Sequence, residues 1–297
     1  MPKSLIKYLE KTITFIIKGV IFLLPLFFLP WTSEYFEFNK QLFLWLAMSL
    51  ALFLWLLKQA AAGEIRIKVN SLNLPIIIFL ALTGVSTLFS LNVFSSFFGS
   101  YGRFSDAWLG LLSLAVFYFL LINSGLADSA LKIFVLVKLL FYSAFILAVI
   151  SLLAMSGAIQ SALADPFNIL ASPSFNPASG SLLSLAVFLA VMSVAAVGFL
   201  FTGVIKKFDR FIFGLGLILF LIVLGLINFY LSWLILALGA GLLIIGNFIE
   251  SGLSFKKNYY FLILAILILA ASLMLTLPKT NPAKIILGRP LPREAII

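Results

Sequence analysis

This chain of 297 residues has no cysteine and no histidine, and only 30 of its residues are charged: 20 Lys and Arg against 10 Asp and Glu. Each shortage excludes something. Without cysteine there is no disulfide framework, and the redox compartment cannot be read from thiols. Without cysteine or histidine a zinc site lacks its usual ligands. A histidine base or proton relay is excluded within this sequence. No Asp-x-Asp pair, phosphate-cradling Walker loop, Gly-x-Gly-x-x-Gly or Gly-x-Ser-x-Gly is present, so the signatures of soluble nucleotide-binding and hydrolytic enzymes are missing. No metal site and no cofactor are expected.

What the chain does have is apolar length. It is 63% hydrophobic, with mean hydropathy +1.22. Nine runs approach or exceed the thickness of a bilayer core, which takes about 20 apolar residues. They are Thr12–Trp31, Lys40–Leu57, Pro75–Leu91, Ala107–Ile122, Leu131–Met155, Ser179–Gly203, Phe211–Asn228, Ser232–Ile249 and Tyr259–Leu277. The stretch Phe211–Ile249 is too long for one crossing and is broken into a tight hairpin at Asn228–Ser232. Lipid offers no hydrogen bonds, so such runs close their backbone bonds within helices. The expected fold is all-α: a polytopic transmembrane helical bundle of about nine spans. It forms one membrane domain over residues 1–277, followed by an outer segment, 278–297. The first run carries Pro25 and Pro30 and lacks a small-residue cleavage site, so it is not a cleavable signal.

Basic residues collect in every second gap between the runs. One set of gaps holds Lys3, Lys7, Lys11, Lys58, Arg66, Lys68, Lys132, Lys206, Lys207, Arg210, Lys256 and Lys257, and the other holds only Lys40 and Arg103 before the tail. Positive residues mark the cytoplasmic side. The N-terminus is therefore expected inside and the C-terminus outside. The tail adds Lys279, Lys284, Arg289 and Arg293 to the outer side. The net charge of +10 reports topology and gives no reason to expect nucleic acid. Lys18 and Lys138 fall inside runs, each roughly 10 Å from a cytoplasmic helix end at about 1.5 Å per residue, within a lysine's snorkelling reach.

The outer gaps are more informative. The first holds Glu34 and Glu37, three residues apart. Either carboxylate could serve as a base toward an incoming hydroxyl, or both could favour the start of the second helix. The second gap, Ser90–Asp106, surrounds the single cation Arg103 with Gly99, Gly102, Phe97, Phe98, Tyr101 and Phe104. Ser105 or Asp106 is placed to cap the next helix. An arginine beside a helix N-terminus makes an anion site, while the same residues also fit an interfacial aromatic belt. The third gap, Ser156–Ala178, ends in hydroxyls and turn formers. Ser174, Asn176, Ser179 and Ser181 could donate to a phosphate or simply cap the sixth run, with Pro177 fixing its entry.

Three segments resemble one family. Phe36-Glu-Phe-Asn-Lys40 entering a Leu- and Trp-rich helix, Phe98-Gly-Ser-Tyr-Gly-Arg103 followed by a helix, and Phe175-Asn-Pro-Ala-Ser-Gly180 are similar to segments of the O-antigen ligase and polymerase superfamily, the last in altered form. The resemblance runs through the chain in order. It implies a metal-independent, inverting glycosyltransferase of cell-envelope polysaccharide assembly. Such a protein takes a glycan from undecaprenyl pyrophosphate on the outer face and passes it to a hydroxyl of a lipid, glycan or protein acceptor. Arg103 would then grip the pyrophosphate, with Tyr101, Ser174 and Asn176 lining the substrate site. Membrane lipid, lipid-linked oligosaccharide and acceptor are the implied partners.

The departures are specific. Where the family's turn between the seventh and eighth helices reads Ser-Arg-Gly-Ala-Trp, this chain reads Phe229-Tyr-Leu-Ser-Trp233, with Tyr230 in the arginine's place. Segment Pro290–Ile297 looks like the start of the family's large outer loop, whose histidine is absent. No catalytic residue is assigned, Glu34 and Glu37 being the carboxylates offered, and enzyme activity stays open. A transporter or flippase of lipid-linked sugars, or a non-catalytic partner in envelope assembly, remains as an alternative. A transporter would show internal repeats and broken helices, and no repeat is evident.

Overall fold

A computed structural model describes residues 3–159, 172–201 and 206–251. Every regular element among them is helical. In chain order they are α1 (Lys3–Leu23), α2 (Glu37–Ala62), α3 (Asn73–Leu88), α4 (Val93–Phe98), α5 (Trp108–Asn123), α6 (Ala130–Ser156), α7 (Leu182–Phe201), α8 (Lys207–Ile227) and α9 (Tyr230–Ser251). Four of these, α2, α6, α7 and α8, are long and apolar enough to cross a membrane, and α3, α5 and α9 are shorter apolar helices. The ninth run, Tyr259–Leu277, and the outer segment 278–297 lie outside the described residues. The chain divides into two compact units, Met1–Leu140 and Phe141–Ile297.

Helix α2 carries the physical argument for a lipid setting. Leu44, Met48, Ala51 and Trp55 recur every three or four residues and are buried, against Ile13, Ile17 and Val20 of α1 and Leu120 of α5. The opposite face carries Leu46, Leu50, Phe53 and Leu57, all exposed. A helix apolar on both faces suits a buried core or a membrane, not water. At about 1.5 Å per residue its 26 residues reach roughly 39 Å.

Several boundaries differ from the apolar runs, for local reasons. The first helix begins at Lys3 and stops at Leu23, ahead of Pro25, whose missing N–H cannot continue the ladder. Hydropathy misses its polar opening turns because Lys3–Lys11 is helical without being apolar. The gap Ser90–Asp106 contains the one-and-a-half-turn helix α4, which Asn92 caps by accepting from the Ser95 N–H at 3.0 Å. The expected hairpin between α8 and α9 is present. Asn228 ends α8 with left-handed backbone, φ 49°, and its Oδ1 accepts from Trp233 Nε1 at 3.2 Å.

In the first unit the helices alternate in direction. Lys58 of α2 pairs with Glu10 of α1 at 3.5 Å, and Lys68 pairs with Asp128 at 2.7 Å. At the far end of α1 and α2, Phe27 stacks on Phe43, and Lys40 Nζ donates to the Pro25 carbonyl at 3.0 Å. Lys58 and Lys68 therefore lie toward one end of this unit, with Lys40 and Arg103 toward the other.

In the second unit α8 and α9 both pack on α7. Small residues let the backbones close up, the usual solution where lipid removes the hydrophobic drive between helices. A Cβ on Gly239 of α9 would run into Val194 of α7, whereas one on Gly241 would meet nothing within 4 Å. Gly239→Leu is expected to destabilise the protein by about 1–3 kcal/mol through overpacking. Gly241→Ala should be neutral or stabilising, because alanine is the better helix former. Thermal unfolding in detergent compares them, and equal midpoints for the two variants would refute the packing account.

Candidate functional site

Two loops meet at the end of the first unit that carries Arg103. The turn from α1 to α2 is organised from within. Asn39, buried at the start of α2, donates through Nδ2 to Thr32 Oγ1 (2.7 Å) and to the carbonyls of Glu34 (2.8 Å) and Tyr35 (3.1 Å). The segment after α4 folds against this turn. Glu37 Oε1 accepts from the Ser105 backbone N–H at 2.9 Å and from Ser105 Oγ at 2.6 Å. The Tyr101 hydroxyl donates to the Ser33 carbonyl at 3.4 Å, and the rings of Phe38 and Phe104 meet edge to face at 5.0 Å. Gly99 and Gly102 supply the positive φ angles of 97° and 73° that the reversal requires.

Below this junction lies a cleft of ≈ 400 Å3. Thr83, Ser86 and Thr87 of α3 form one wall, and Asn92, Ser95, Ser96 and Ser100 in and around α4 another. Arg103, Asp106 and the first turn of α5 complete it. Trp108 fixes that turn by donating from Nε1 to the Leu80 carbonyl at 3.1 Å, packed where Gly84 leaves room. Arg103 is exposed, and its guanidinium has no hydrogen-bond or ion-pair partner among the described residues. Helix α5 starts after Ala107, which cannot cap it. Neither Ser105 nor Asp106 serves as the expected cap: the Ser105 hydroxyl goes to Glu37, leaving the first-turn N–H groups of α5 without a side-chain acceptor among the described residues.

Arg103, Tyr101, Glu34 and Glu37 thus fall in one region. Arg103 lines the cleft, whereas Tyr101 braces the loop against Ser33. Ser174 and Asn176 belong to the second unit, where they build the entry to α7. Asn176 is buried, donates to the Ser174 carbonyl and accepts from the Ser179 N–H, each at 3.3 Å, while the Ser172 and Ser174 hydroxyls lie 2.7 Å apart. Their bonds are those of a turn and helix start. Tyr230, exposed, opens α9. The apolar character of the third run hid the α3 hydroxyls. Thr83, Ser86 and Thr87 sit at i, i+3 and i+4, a helical stripe that could have marked a polar wall.

The two glutamates differ in setting. Burial above all, then the charge of Glu37, pushes the Glu34 carboxyl above its ordinary 4.5, while the backbone N–H groups of Phe38 and Glu37 oppose the rise. Its Oε2 is shut off from solvent and has no donor among the described residues. A raised folded value means that Glu34's favourable contribution is full below about 4.5 and is lost as pH climbs through the folded value. Glu34→Gln is therefore expected to raise the unfolding midpoint at pH 7 and to leave it unchanged below pH 4.5. A lower midpoint at pH 7 would make the ionised carboxylate a net stabiliser of the α2 start.

No protein-family model, curated protein or solved structure matches this chain.

Proposed function

We propose that this chain is a multi-pass protein of the inner membrane, with about nine spans and its N-terminus cytoplasmic, whose cleft binds the pyrophosphate of a lipid-linked glycan on the outer face. On this reading it belongs to cell-envelope polysaccharide assembly, in keeping with its resemblance to the O-antigen ligase and polymerase superfamily. The observation that carries the proposal is the guanidinium of Arg103, which has no partner among the described residues and lines a cleft rich in hydroxyls, beside a start of α5 that its N-cap residue Ala107 does not cap. A bidentate cation and oriented N–H groups suit phosphate oxygens. The serines and Asn92 suit an oxygen-rich group beyond the phosphate. Exposed apolar residues on α3, at its C-cap and on α4, among them Leu82, Val85, Phe89 and Phe94, suit a lipid-borne ligand.

Binding is favoured over catalysis by the state of the carboxylates. Glu37 is engaged with Ser105, and Glu34 sits at the start of α2. Asp106 is the carboxylate in the cleft. The test is titration of purified protein in detergent with a polyprenyl pyrophosphate and with the uncharged polyprenol of equal length. Preference for the pyrophosphate supports the reading. Equal binding of both ligands would sink it.

A further inference from the structure

We infer that Glu37 is a positioning residue: its carboxylate pins the 99–106 loop and thereby sets where the Arg103 guanidinium stands. The inference rests on the reading of Arg103 as the anion-binding group. The Arg103 side chain makes no hydrogen bond or ion pair among the described residues, so its placement follows the backbone that carries it. That backbone is a sharp reversal through Gly99 and Gly102, with the Arg103 N–H bonded to the Ser100 carbonyl at 2.9 Å. Such a loop is held by what anchors its ends. One end continues from α4. The other, two residues past Arg103, is held through Ser105, whose N–H and hydroxyl converge on the single oxygen Glu37 Oε1.

Hydrogen bonds to an ionised acceptor are the strong ones. The remaining ties, Tyr101 to Ser33 at 3.4 Å and Phe38 against Phe104, are weaker or non-directional. Glu37 also begins α2, whose rigid body extends the clamp into the core through Leu44 and Met48. Two donors already on Oε1 suit this oxygen to holding the loop rather than to accepting a proton from substrate.

A plain helix-start role for Glu37 makes a different prediction, and the absence of native cysteine allows it to be tested cleanly. A nitroxide is attached at Ser100→Cys or, separately, at Ser33→Cys, without ligand. Glu37→Ala is expected to increase mobility at position 100 and leave position 33 unchanged, with Glu37→Gln intermediate because the amide oxygen still accepts. Mobility rising at both positions would reduce Glu37 to a helix-start residue, and no change at 100 would remove the clamp.

Binding of a polyprenyl pyrophosphate supplies the second readout. Glu37→Ala should weaken it roughly three- to tenfold in the wild-type background and have no further effect when combined with Arg103→Ala, as expected of residues coupled in one unit. An equal loss in the Arg103→Ala background would show that Glu37 does not act through Arg103. Were wild-type protein to bind no pyrophosphate, the ligand reading would fall, while the line shapes would still decide the clamp.

Discussion

Arg103→Ala is expected to weaken binding of a polyprenyl pyrophosphate by about 1.5–3 kcal/mol, the range for a hydrogen bond to a charged group. That is roughly ten- to 150-fold in affinity. The size follows from the geometry of the cleft. The guanidinium has no internal partner to lose among the described residues, so truncation removes ligand contacts without leaving an orphaned carboxylate behind. Asp106 lines the same cleft and is not ion-paired with Arg103. Once the cation is gone, that carboxylate faces the phosphate unopposed and places the loss toward the upper end of the range. Arg103→Lys should recover only part of it, because an ammonium lacks the planar fork that meets two phosphate oxygens together. Unfolding midpoints should stay near wild type, since the side chain is exposed and supports no packing. Unchanged pyrophosphate binding in a folded Arg103→Ala protein would return this residue to the interfacial aromatic belt.

The sequence disclosed the helices better than the contacts between them. Runs of apolar residues are strong signals because each must hydrogen-bond internally, and eight of the nine expected runs overlap a helix, four of them long and apolar enough to cross a membrane, α4 being the one unforeseen. Leu131–Met155 was legible nearly to the residue, as α6 (Ala130–Ser156). Where hydropathy and helix diverge, as over Lys3–Lys11, the reason is that a helix can leave the apolar zone without ending. The site was legible as residue types rather than as partners. Arg103 stands out in the sequence as a cation among glycines and aromatics. That Glu37 would be tied to Ser105 was not readable, since 68 positions separate them and a carboxylate at a helix start looks the same whether it faces a dipole or a loop. The α3 stripe of Thr83, Ser86 and Thr87 was lost for a related reason. Hydroxyls inside an apolar run bond back to their own helix, as Thr87 Oγ1 does to the Thr83 carbonyl at 2.9 Å, and carry no visible hydropathic cost.

Orientation in the membrane gives the largest contrast, an all-or-none one. With no native cysteine, single cysteines carry no background. Ser100→Cys and Ser179→Cys are expected to react with a membrane-impermeant maleimide in intact cells, and Ser71→Cys and Ser129→Cys only after permeabilisation. All four positions are exposed, so reactivity reports the side of the membrane rather than burial. The expectation rests on charge. Lysines and arginines resist translocation, and they lie twelve to two in favour of the gaps that include Ser71 and Ser129. The structure adds that, in the first unit, these gaps converge in space: Glu10 meets Lys58, and Lys68 meets Asp128. One end of that unit therefore bears its basic cluster while the other bears the cleft, and a single orientation puts all of one set inside and all of the other outside. Neutralising Lys58, Arg66, Lys68 and Lys132 together should weaken that bias and give mixed labelling at Ser71→Cys. Labelling of Ser71→Cys and not Ser100→Cys in intact cells would invert the protein. The Arg103 cleft would then open to the cytoplasm, where a glycan carried on the outer leaflet cannot reach it.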